Sequence, residues 1–353
     1  MQTDDPINKS IPATLPPPQT GPMVWYGPAM VARTDQWCLD LTQSEVAEIE
    51  AAAGDWLHLN GEIASITATA FPLPTLKPRL AQLARELISG RGFGVLRGLP
   101  VEQYDERMAA AMFFGLGSHL GHPRSQNAQG HVLGHVRDLG VRSDDPEVRI
   151  YQTRERQTFH TDSSDVVGLL CLKTARSGGD SLLVSASTLF NEMRQRRPDL
   201  LHLLMQPVAT DRRGEVPEGM APYFLIPVFS WYRGFLTVMY QRQYIESAQR
   251  FDDAPRLTQQ HREALDLFDA LANDPALNLS MTLQPGDMQF VNNHALLHDR
   301  TGFEDWPDPG RKRHLFRLWL SMAGDRPLPE VFATRFGSVQ VGDRGGIVPA
   351  VNT

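Results

Sequence analysis

Cysteine is scarce in this 353-residue sequence, which contains only Cys38 and Cys171. Two cysteines cannot form the disulfide framework that stabilises small secreted domains. Long apolar runs are also missing, since Val166–Leu172, the longest, is far below the roughly 18 residues that cross a membrane. The sequence does not open on the basic and apolar regions of a secretory signal. We therefore expect a cytoplasmic protein with no membrane partner.

An excess of basic residues is absent as well. The chain has 34 Lys and Arg residues against 41 Asp and Glu residues, which gives a net charge of −7. Because nucleic acids and anionic membranes attract basic surfaces, neither is expected as the main partner. No glycine-rich phosphate loop stands at a strand–helix junction, which argues against a nucleotide-binding enzyme. These absences leave a small molecule as the expected partner.

The hydrophobic share of 41% predicts a folded chain, and 28 glycines with 26 prolines predict many turns. The periodicity predicts helices up to about residue 115 and mostly short strands beyond residue 120. Residues 1–22 are rich in proline and predict a mobile arm, followed by a single domain over residues 23–353. The predicted fold is mainly β with surrounding helices (α+β), arranged as a sandwich or jelly roll.

The elements behind this prediction are read from apolar spacing, capping residues and turn residues. The predicted helices are Leu41–Ala53, Leu76–Ile88, Glu102–Gly115, Ala186–Arg196 and Gln259–Leu271. The predicted strands are Phe93–Leu96, Val132–Val136, Val148–Gln152, Val166–Leu172, Ser181–Val184, Tyr223–Val228, Gly234–Met239, Leu277–Thr282, Met288–Val291 and Leu315–Leu320.

The strongest chemical signal among the 11 histidines is the triplet His160-Thr161-Asp162. On an extended segment the side chains of residues i and i+2 point to the same face, so this imidazole and this carboxylate lie together. Two such groups make two-thirds of the facial triad that holds Fe(II) with positions left open for oxygen and a co-substrate. The pair also precedes an apolar strand, which indicates a site at the mouth of the core.

A third ligand has to come from far along the chain. After the tight turn Pro285-Gly286-Asp287, a strand leads to His294 and His298, and either could reach the pair. Arg313 and Arg317 follow on another apolar strand, and their even spacing places both guanidinium groups on one face. Two arginines that point inward are costly unless anionic partners meet them.

This ordered set resembles the taurine/2,4-D dioxygenase family (TauD/TfdA-like, including the clavaminate-synthase-like members) of Fe(II)- and 2-oxoglutarate-dependent oxygenases. The similarity covers roughly Leu87 to Met322. The segments that carry it are Gly92–Gly98, Phe159–Asp162, Ser177–Ser181, Gly286–Asp287, Asn292–Asn293, His298, Arg313 and Arg317. The resemblance implies a core built as a double-stranded β-helix, the jelly roll of this family.

By this resemblance, His160, Asp162 and His298 would ligate Fe(II), and Arg313 would bind the distal carboxylate of 2-oxoglutarate with help from the Ser181 hydroxyl. The implied reaction uses O₂ and converts 2-oxoglutarate to succinate and CO₂ while a substrate C–H bond is oxidised. Related halogenases lack the carboxylate ligand, so the presence of Asp162 favours hydroxylation or another oxygenase outcome over halogenation.

The substrate side is the least defined part of the prediction. Arg317 matches a position that several family members use for an anionic group of the substrate or for shared contact with the co-substrate. The first of these uses suggests a small anionic metabolite. Gln126, Asn127 and Tyr223 are further candidates for substrate contact. Family analogy alone favours a homo-oligomer.

Two other functions use the same residues. A zinc-dependent hydrolase could employ the His/Asp/His set to activate water, although it would give no role to Arg313 or Ser181. A non-catalytic jelly-roll protein could retain the metal without performing chemistry. The intact arginine pair argues against both.

Overall fold

A computed structural model of the chain describes residues 14–142 and 149–347. Within these residues the helices are α1 (Gly27–Val31), α2 (Thr34–Trp37), α3 (Gln43–His58), α4 (Lys77–Ile88), α5 (Glu106–Ser118), α6 (Ala186–Arg196), α7 (Pro198–Leu204), α8 (Arg242–Ser247), α9 (Gln259–Ala272) and α10 (Ala333–Phe336). The strands are β1 (Cys38–Asp40), β2 (Phe93–Arg97), β3 (His122–Pro123), β4 (Leu133–Val136), β5 (Gln157–His160), β6 (Val166–Lys173), β7 (Ser177–Gly178), β8 (Ser181–Ser185), β9 (Pro207–Asp211), β10 (Tyr223–Pro227), β11 (Phe229–Tyr232), β12 (Phe235–Val238), β13 (Leu279–Met281), β14 (Met288–Asn292), β15 (Leu296–Arg300), β16 (Phe303–Glu304) and β17 (His314–Ser321).

Two sheets form the centre of the molecule. The larger has the strand order β1-β2-β14-β6-β17-β3, with β4 also paired to β17. The smaller has the order β13-β8-β15-β5, and its strand pairs are antiparallel. The chain is therefore a mixed α+β protein in which sheet dominates beyond residue 120, as the sequence predicts.

The alternation of side chains along the strands divides the core into layers. In β14, Phe290 packs toward α3, α4 and α5, whereas the next residue, Val291, packs toward the smaller sheet. Leu183 and Leu296 of the smaller sheet meet Val291 in the space between the sheets. The outer face of the smaller sheet is covered by α6, α7 and α9. Helices thus cover the outer faces of both sheets, and the inner faces of the sheets pack against each other.

The order of strands in the smaller sheet positions the histidines. β5 and β15 are neighbours, and their register places His160 directly opposite His298. The sequence separation of these residues is large, so only the sheet pairing brings them together. Gly286, which has φ +87°, opens the turn before β14, and a Cβ there would overlap the Leu99 carbonyl oxygen. This turn requires glycine.

Several predicted boundaries are wrong by a few residues. The third predicted helix begins at Glu106 rather than Glu102, because the Asp105 side chain caps the helix by accepting from Met108 N at 2.8 Å. The strand predicted over Val148–Gln152 is instead a 3₁₀ helix at Ile150–Gln152, and Val148 lies outside the described residues.

The predicted mobile arm over residues 1–22 also needs correction. Residues 1–13 lie outside the described part of the chain, but residues 14–22 are held against α6. The Gln19 backbone N–H donates to the Asn191 side chain at 2.7 Å, and the Asn191 amide donates back to the Gln19 carbonyl at 2.9 Å. Proline-rich chain packs here because an asparagine satisfies its backbone polar groups.

None of the described helices combines the length and the apolar character that a membrane crossing requires.

A buried ionic network joins the C-terminal part of the chain to the sheets. Arg344 Nε donates to Asp165 Oδ1 at 2.6 Å, and Arg344 Nη2 lies 3.7 Å from Asp325 Oδ2. His294 Nε2 lies 2.8 Å from the same Asp165 oxygen, and all these side chains are inaccessible or nearly so. Asp165 stands three residues after Asp162, so this network anchors the loop that carries the predicted carboxylate ligand.

We expect the substitution Arg344→Met to lower the free energy of unfolding by about 3–5 kcal/mol, because Asp165 and Asp325 would lose a buried cation. Chemical denaturation measures the change. The matched control Arg176→Met removes an exposed arginine that pairs with Glu304 at 2.6 Å, and it should cost less than about 1 kcal/mol. Equal effects of the two substitutions would contradict this interpretation.

Candidate metal centre and adjoining clefts

Three potential ligands converge between the two sheets. His160 Nε2 lies 3.9 Å from Asp162 Oδ1, and His298 Nε2 lies 3.8 Å from Asp162 Oδ2. The three ligand atoms all fall within 4.8 Å of one another, and all three residues are buried. Separations of 3.8–3.9 Å are too long for direct hydrogen bonds. The arrangement leaves room for an ion between the side chains.

The protonation of the two histidines suits metal binding. His160 Nδ1 donates to the Thr158 carbonyl at 2.8 Å, so the lone pair of this ring is on Nε2, facing Asp162. Burial lowers the pKa of His160, and it lowers the pKa of His298 to about 3 with a further contribution from His160. Both imidazoles are therefore neutral at physiological pH. The Nδ1 atom of His298 is buried without a hydrogen-bond partner.

Asp162 is held as a carboxylate. Burial alone raises its pKa, but the charge of Arg317, together with electrostatic interactions with His298 and His160 and a hydrogen bond from Trp319, outweighs burial and brings the pKa below its usual value. Trp319 Nε1 donates to Asp162 Oδ2 at 2.8 Å, and Arg317 Nη1 lies 3.7 Å from the same oxygen. One carboxylate and two neutral imidazoles on one face fit a divalent metal of the facial-triad type.

Two clefts meet at this centre. The first, here named the Arg313 cleft, is lined by Ser181, His298, Asp299, Arg300 and Arg313 together with apolar residues. The second, here named the Arg335 cleft, is lined by Arg149, Thr161, Asp162, Ser163, Phe224, Tyr244 and Arg335. Both include Tyr151, Gln157, His160 and Arg317. They hold about 510 and 570 Å³ of space between atoms, counting the part open to solvent.

Arg313 supplies the first cleft with a buried cation. Its Nη1 atom has no hydrogen-bond partner, and its Nη2 atom reaches only the Gly179 carbonyl at 3.5 Å. Gly179 has φ +78°, and a Cβ there would lie 2.8 Å from Arg313 Nε, so glycine is needed for this close approach. Burial lowers the pKa of Arg313. A carboxylate of a ligand would satisfy the free guanidinium nitrogen.

Ser181 lies in the same cleft, as the sequence predicts. Its hydroxyl donates to Gln289 Oε1 at 3.0 Å, so it can donate to a ligand only after turning away from this acceptor. Arg300 was not predicted for the site, although it also lines the cleft and its guanidinium lies 4.8 Å from the Phe303 ring. Burial, with Arg313 nearby, lowers the pKa of Arg300 to about 9. Arg300 follows His298 by two residues on β15, and this spacing could have predicted that both side chains face the same side of the strand.

Arg317 stands where the two clefts meet. Its Nε atom donates to Gln126 Oε1 at 2.7 Å, and its guanidinium lies over the Tyr151 ring at 4.4 Å. Gln126 also donates to the Arg317 carbonyl at 2.8 Å. The predicted pair Arg313 and Arg317 does face the same cleft, and Gln126 holds the second arginine in position.

Two of the predicted substrate residues lie farther from the centre. Asn127 lines an adjoining depression that also includes Arg317. Tyr223 lines neither the Arg313 cleft nor the Arg335 cleft, because its hydroxyl donates to the Asp253 carbonyl at 3.0 Å and its ring stacks on Phe251. The next residue, Phe224, lines the Arg335 cleft instead. Alternation along β10 therefore directs Tyr223 away from the centre.

His294, the alternative third ligand, is directed elsewhere. It belongs to the buried network of Asp165 and Asp325, in which Arg344 already supplies a cation. The residues Arg149, Tyr151, Gln157, Tyr244, Trp319 and Arg335 were not predicted for the site. Trp319 follows Arg317 by two residues and could have been found from that spacing, whereas Arg149 and Arg335 meet only through the tertiary fold.

This donor set lies between two sheets, beside a cleft whose arginine has a guanidinium nitrogen without a hydrogen-bond partner. The arrangement fits a metal-dependent oxygenase of the non-heme iron type. Residues 59–319 match the family described as "Taurine catabolism dioxygenase TauD, TfdA family". The chain therefore belongs to this family, and it is an Fe(II)- and 2-oxoglutarate-dependent dioxygenase.

Individual relatives agree with this class. FR-33289 synthase of Streptomyces rubellomurinus is 33% identical over 326 residues, which cover 91% of this chain and 95% of that protein. A uridine-5'-phosphate dioxygenase of an Amycolatopsis species is 31% identical over 181 residues, 49% of this chain and 64% of that protein. The solved structure of the non-heme iron oxygenase OrfP with Fe and α-ketoglutaric acid has the same fold, with a TM-score of 0.60 at 15% identity over 80% of this chain and 93% of that one.

We expect Trp319→Phe to weaken metal binding by about 10- to 100-fold, because the Asp162 carboxylate would lose a hydrogen bond that orients it. Titration with Co(II), followed by its visible absorption, measures the affinity. Trp306→Phe is the control, since Trp306 packs against Arg311 outside both clefts. Unchanged affinity in Trp319→Phe would show that this hydrogen bond does not support the centre.

Proposed function

We propose that this dioxygenase hydroxylates a C–H bond of a small anionic metabolite while 2-oxoglutarate is converted to succinate and CO₂. The observation that carries the proposal is the meeting of two arginine-lined clefts at one His/Asp/His centre. One cleft suits the dicarboxylate co-substrate, and the other suits a second anion. We also propose that the two facing sheets form a double-stranded β-helix and that residues 23–353 make a single domain.

His160, Asp162 and His298 are the proposed ligands of Fe(II). The iron would supply oxygen activation, which protein side chains cannot provide. The chain's own contribution is to keep both imidazoles neutral and the carboxylate ionised. Gln157 donates its amide to His160 Nε2 at 2.9 Å, and it must give up this contact when a metal binds there. The retained carboxylate supports hydroxylation, because it fills the position that halide takes in halogenases.

Arg313 is the proposed partner of the distal carboxylate of 2-oxoglutarate. The support is its buried guanidinium nitrogen, which lacks a partner and lies in a cleft that also contains His298. A guanidinium can bind a carboxylate through two parallel hydrogen bonds, which fixes the orientation of the bound molecule. We assign Ser181 a supporting contact to the same carboxylate. Arg300 adds positive charge at this end of the cleft.

The substrate is proposed to bind in the Arg335 cleft, beside Arg317. Arg317 faces both clefts and lies 3.7 Å from the Asp162 carboxylate, so an anionic substrate held there would place a C–H bond near the centre. Gln126 would fix Arg317, and Asn127 would contact only larger substrates. The uridine-5'-phosphate dioxygenase among the relatives is named for an anionic substrate, which supports this class.

The test measures succinate formed from 2-oxoglutarate by the full-length protein. Succinate should form with Fe(II) in air and should stop without oxygen or when Fe(II) is replaced by Zn(II). Arg313→Gln should raise the KM for 2-oxoglutarate by about 10- to 100-fold, because a charged hydrogen-bond pair is lost.

Arg176→Gln provides the control, since Arg176 is exposed and pairs with Glu304. It should leave the KM for 2-oxoglutarate unchanged. Succinate formation that persists without oxygen, or an unchanged KM in Arg313→Gln, would refute the assignment. Hydrolysis supported by Zn(II) would instead favour the alternative hydrolase.

A further inference from the structure

The wall of the Arg335 cleft carries two arginines that share one carboxylate. Arg335 is 8% exposed and donates from Nε to Ser163 Oγ at 2.8 Å. Its Nη2 atom lies 3.8 Å from Glu215 Oε2, and Arg149 Nη2 forms an ion pair with the same oxygen. Because Ser163 follows Asp162 directly, this pair of arginines stands beside the metal centre on the side away from Arg313.

The charges at this cleft do not balance. Arg149, Arg317 and Arg335 line it, and the carboxylates that face them are Asp162 and Glu215. Three guanidinium groups against two carboxylates sum to one positive charge. Burying uncompensated cations is costly, so an anion is the natural counterpart.

A further arginine, Arg212, lies near the Arg335 cleft without lining it. Arg212 lies 5.5 Å from the Phe224 ring, as Arg335 does, and donates to the backbone carbonyls of Ala221 and Thr334. Burial lowers the pKa of Arg335 to about 10, and the positive charges of Arg149 and Arg212 contribute to this decrease. The negative charge of Glu215 acts in the opposite direction. Arg335 is still charged at neutral pH.

The remaining groups supply directed hydrogen bonds. Arg149 Nη1 donates to the Tyr244 hydroxyl at 3.0 Å, and this hydroxyl can in turn donate into the cleft. Thr161 and Ser163 add hydroxyl groups to the lining near Asp162. Two guanidinium groups and several hydroxyl groups offer enough hydrogen-bond donors for a group with three terminal oxygens. A carboxylate, which has two oxygens, would use fewer of these donors.

We propose that Arg149 and Arg335 form a clamp for a dianionic phosphoryl group of the substrate, carried as a phosphonate or a phosphate monoester. This proposal rests on the proposed function and defines the anion that the substrate carries. Arg317 then lies between the clamped group and the metal, so the oxidised carbon belongs to the chain that links them. The clamp sets specificity by requiring charge at the end of the substrate.

The test uses methylphosphonate as the probe and acetate as the comparison. Full-length protein is loaded with Mn(II) in place of Fe(II), together with 2-oxoglutarate, and the ³¹P signal is followed by NMR. Bound Mn(II) is paramagnetic and broadens the signal of a phosphorus atom held in the same cleft. Titration should show saturable broadening above that of free Mn(II), and acetate should compete poorly.

Arg335→Gln and Arg149→Gln should each weaken methylphosphonate binding by about 10- to 100-fold, because a charge-assisted contact is lost. Arg149 is only partly buried, so its variant remains informative if Arg335→Gln fails to fold. Arg250→Gln is the matched control, since Arg250 pairs with Asp211 at 3.1 Å outside both clefts. It should bind methylphosphonate as the wild type does.

The proposal is overturned if the wild type binds methylphosphonate no more tightly than acetate, or if Arg149→Gln and Arg335→Gln both keep wild-type affinity. Failure of the proposed function would look different. Methylphosphonate binding requires no turnover, so it would persist in a protein that formed no succinate. Iron-dependent succinate formation without phosphonate binding would remove the clamp and leave the dioxygenase activity standing.

Discussion

The pairing of β5 with β15 is the constraint on which the rest of this site depends. Backbone hydrogen bonds between these strands place His160 opposite His298, although the two residues are far apart in sequence. The pleat then brings Asp162 to the same face, since it follows His160 by two residues. A slip of one residue in this register would turn His298 away from the centre and leave a buried carboxylate facing one imidazole. The metal site is thus a property of sheet geometry more than of any one side chain.

The surroundings of the centre are unusually cationic for a protein with a net charge of −7. Arg313 and Arg300 lie at one cleft, Arg149 and Arg335 at the other, and Arg317 between them. Each of these guanidinium groups loses hydration on burial. The close approach of Gly179 helps to hold Arg313, and two hydrogen bonds with Gln126 help to hold Arg317. The carboxylates Asp162 and Glu215 meet part of this positive charge, and the proposed anionic ligands would meet the rest.

Local pattern was sufficient to predict the parts of the site that lie along one strand. The spacing of His160 and Asp162, and that of Arg313 and Arg317, follows from the two-residue period of strands. Side chains that meet through tertiary packing left no such pattern, and Arg335 comes from a short helix near the end of the described chain. The assignment of Tyr223 to the site was incorrect for a simpler reason, since neighbouring residues of a strand face opposite sides of the sheet. The α+β class could be predicted from composition and turns, but the order of strands could not, because it depends on long-range pairing.

The Arg344 network has a consequence for the order in which this protein matures. Asp165 receives its buried cation from a residue about 180 positions later, and the chain around Gly345 and Gly346 binds back onto the Asp162–Ser164 loop through the Ser163 carbonyl. During synthesis, both histidine ligands leave the ribosome well before Arg344 does. A nascent chain can therefore pair β5 with β15 while the loop between β5 and β6 is still loose. We therefore expect the loop that carries Asp162 to reach its final position only after Arg344 has packed against Asp165.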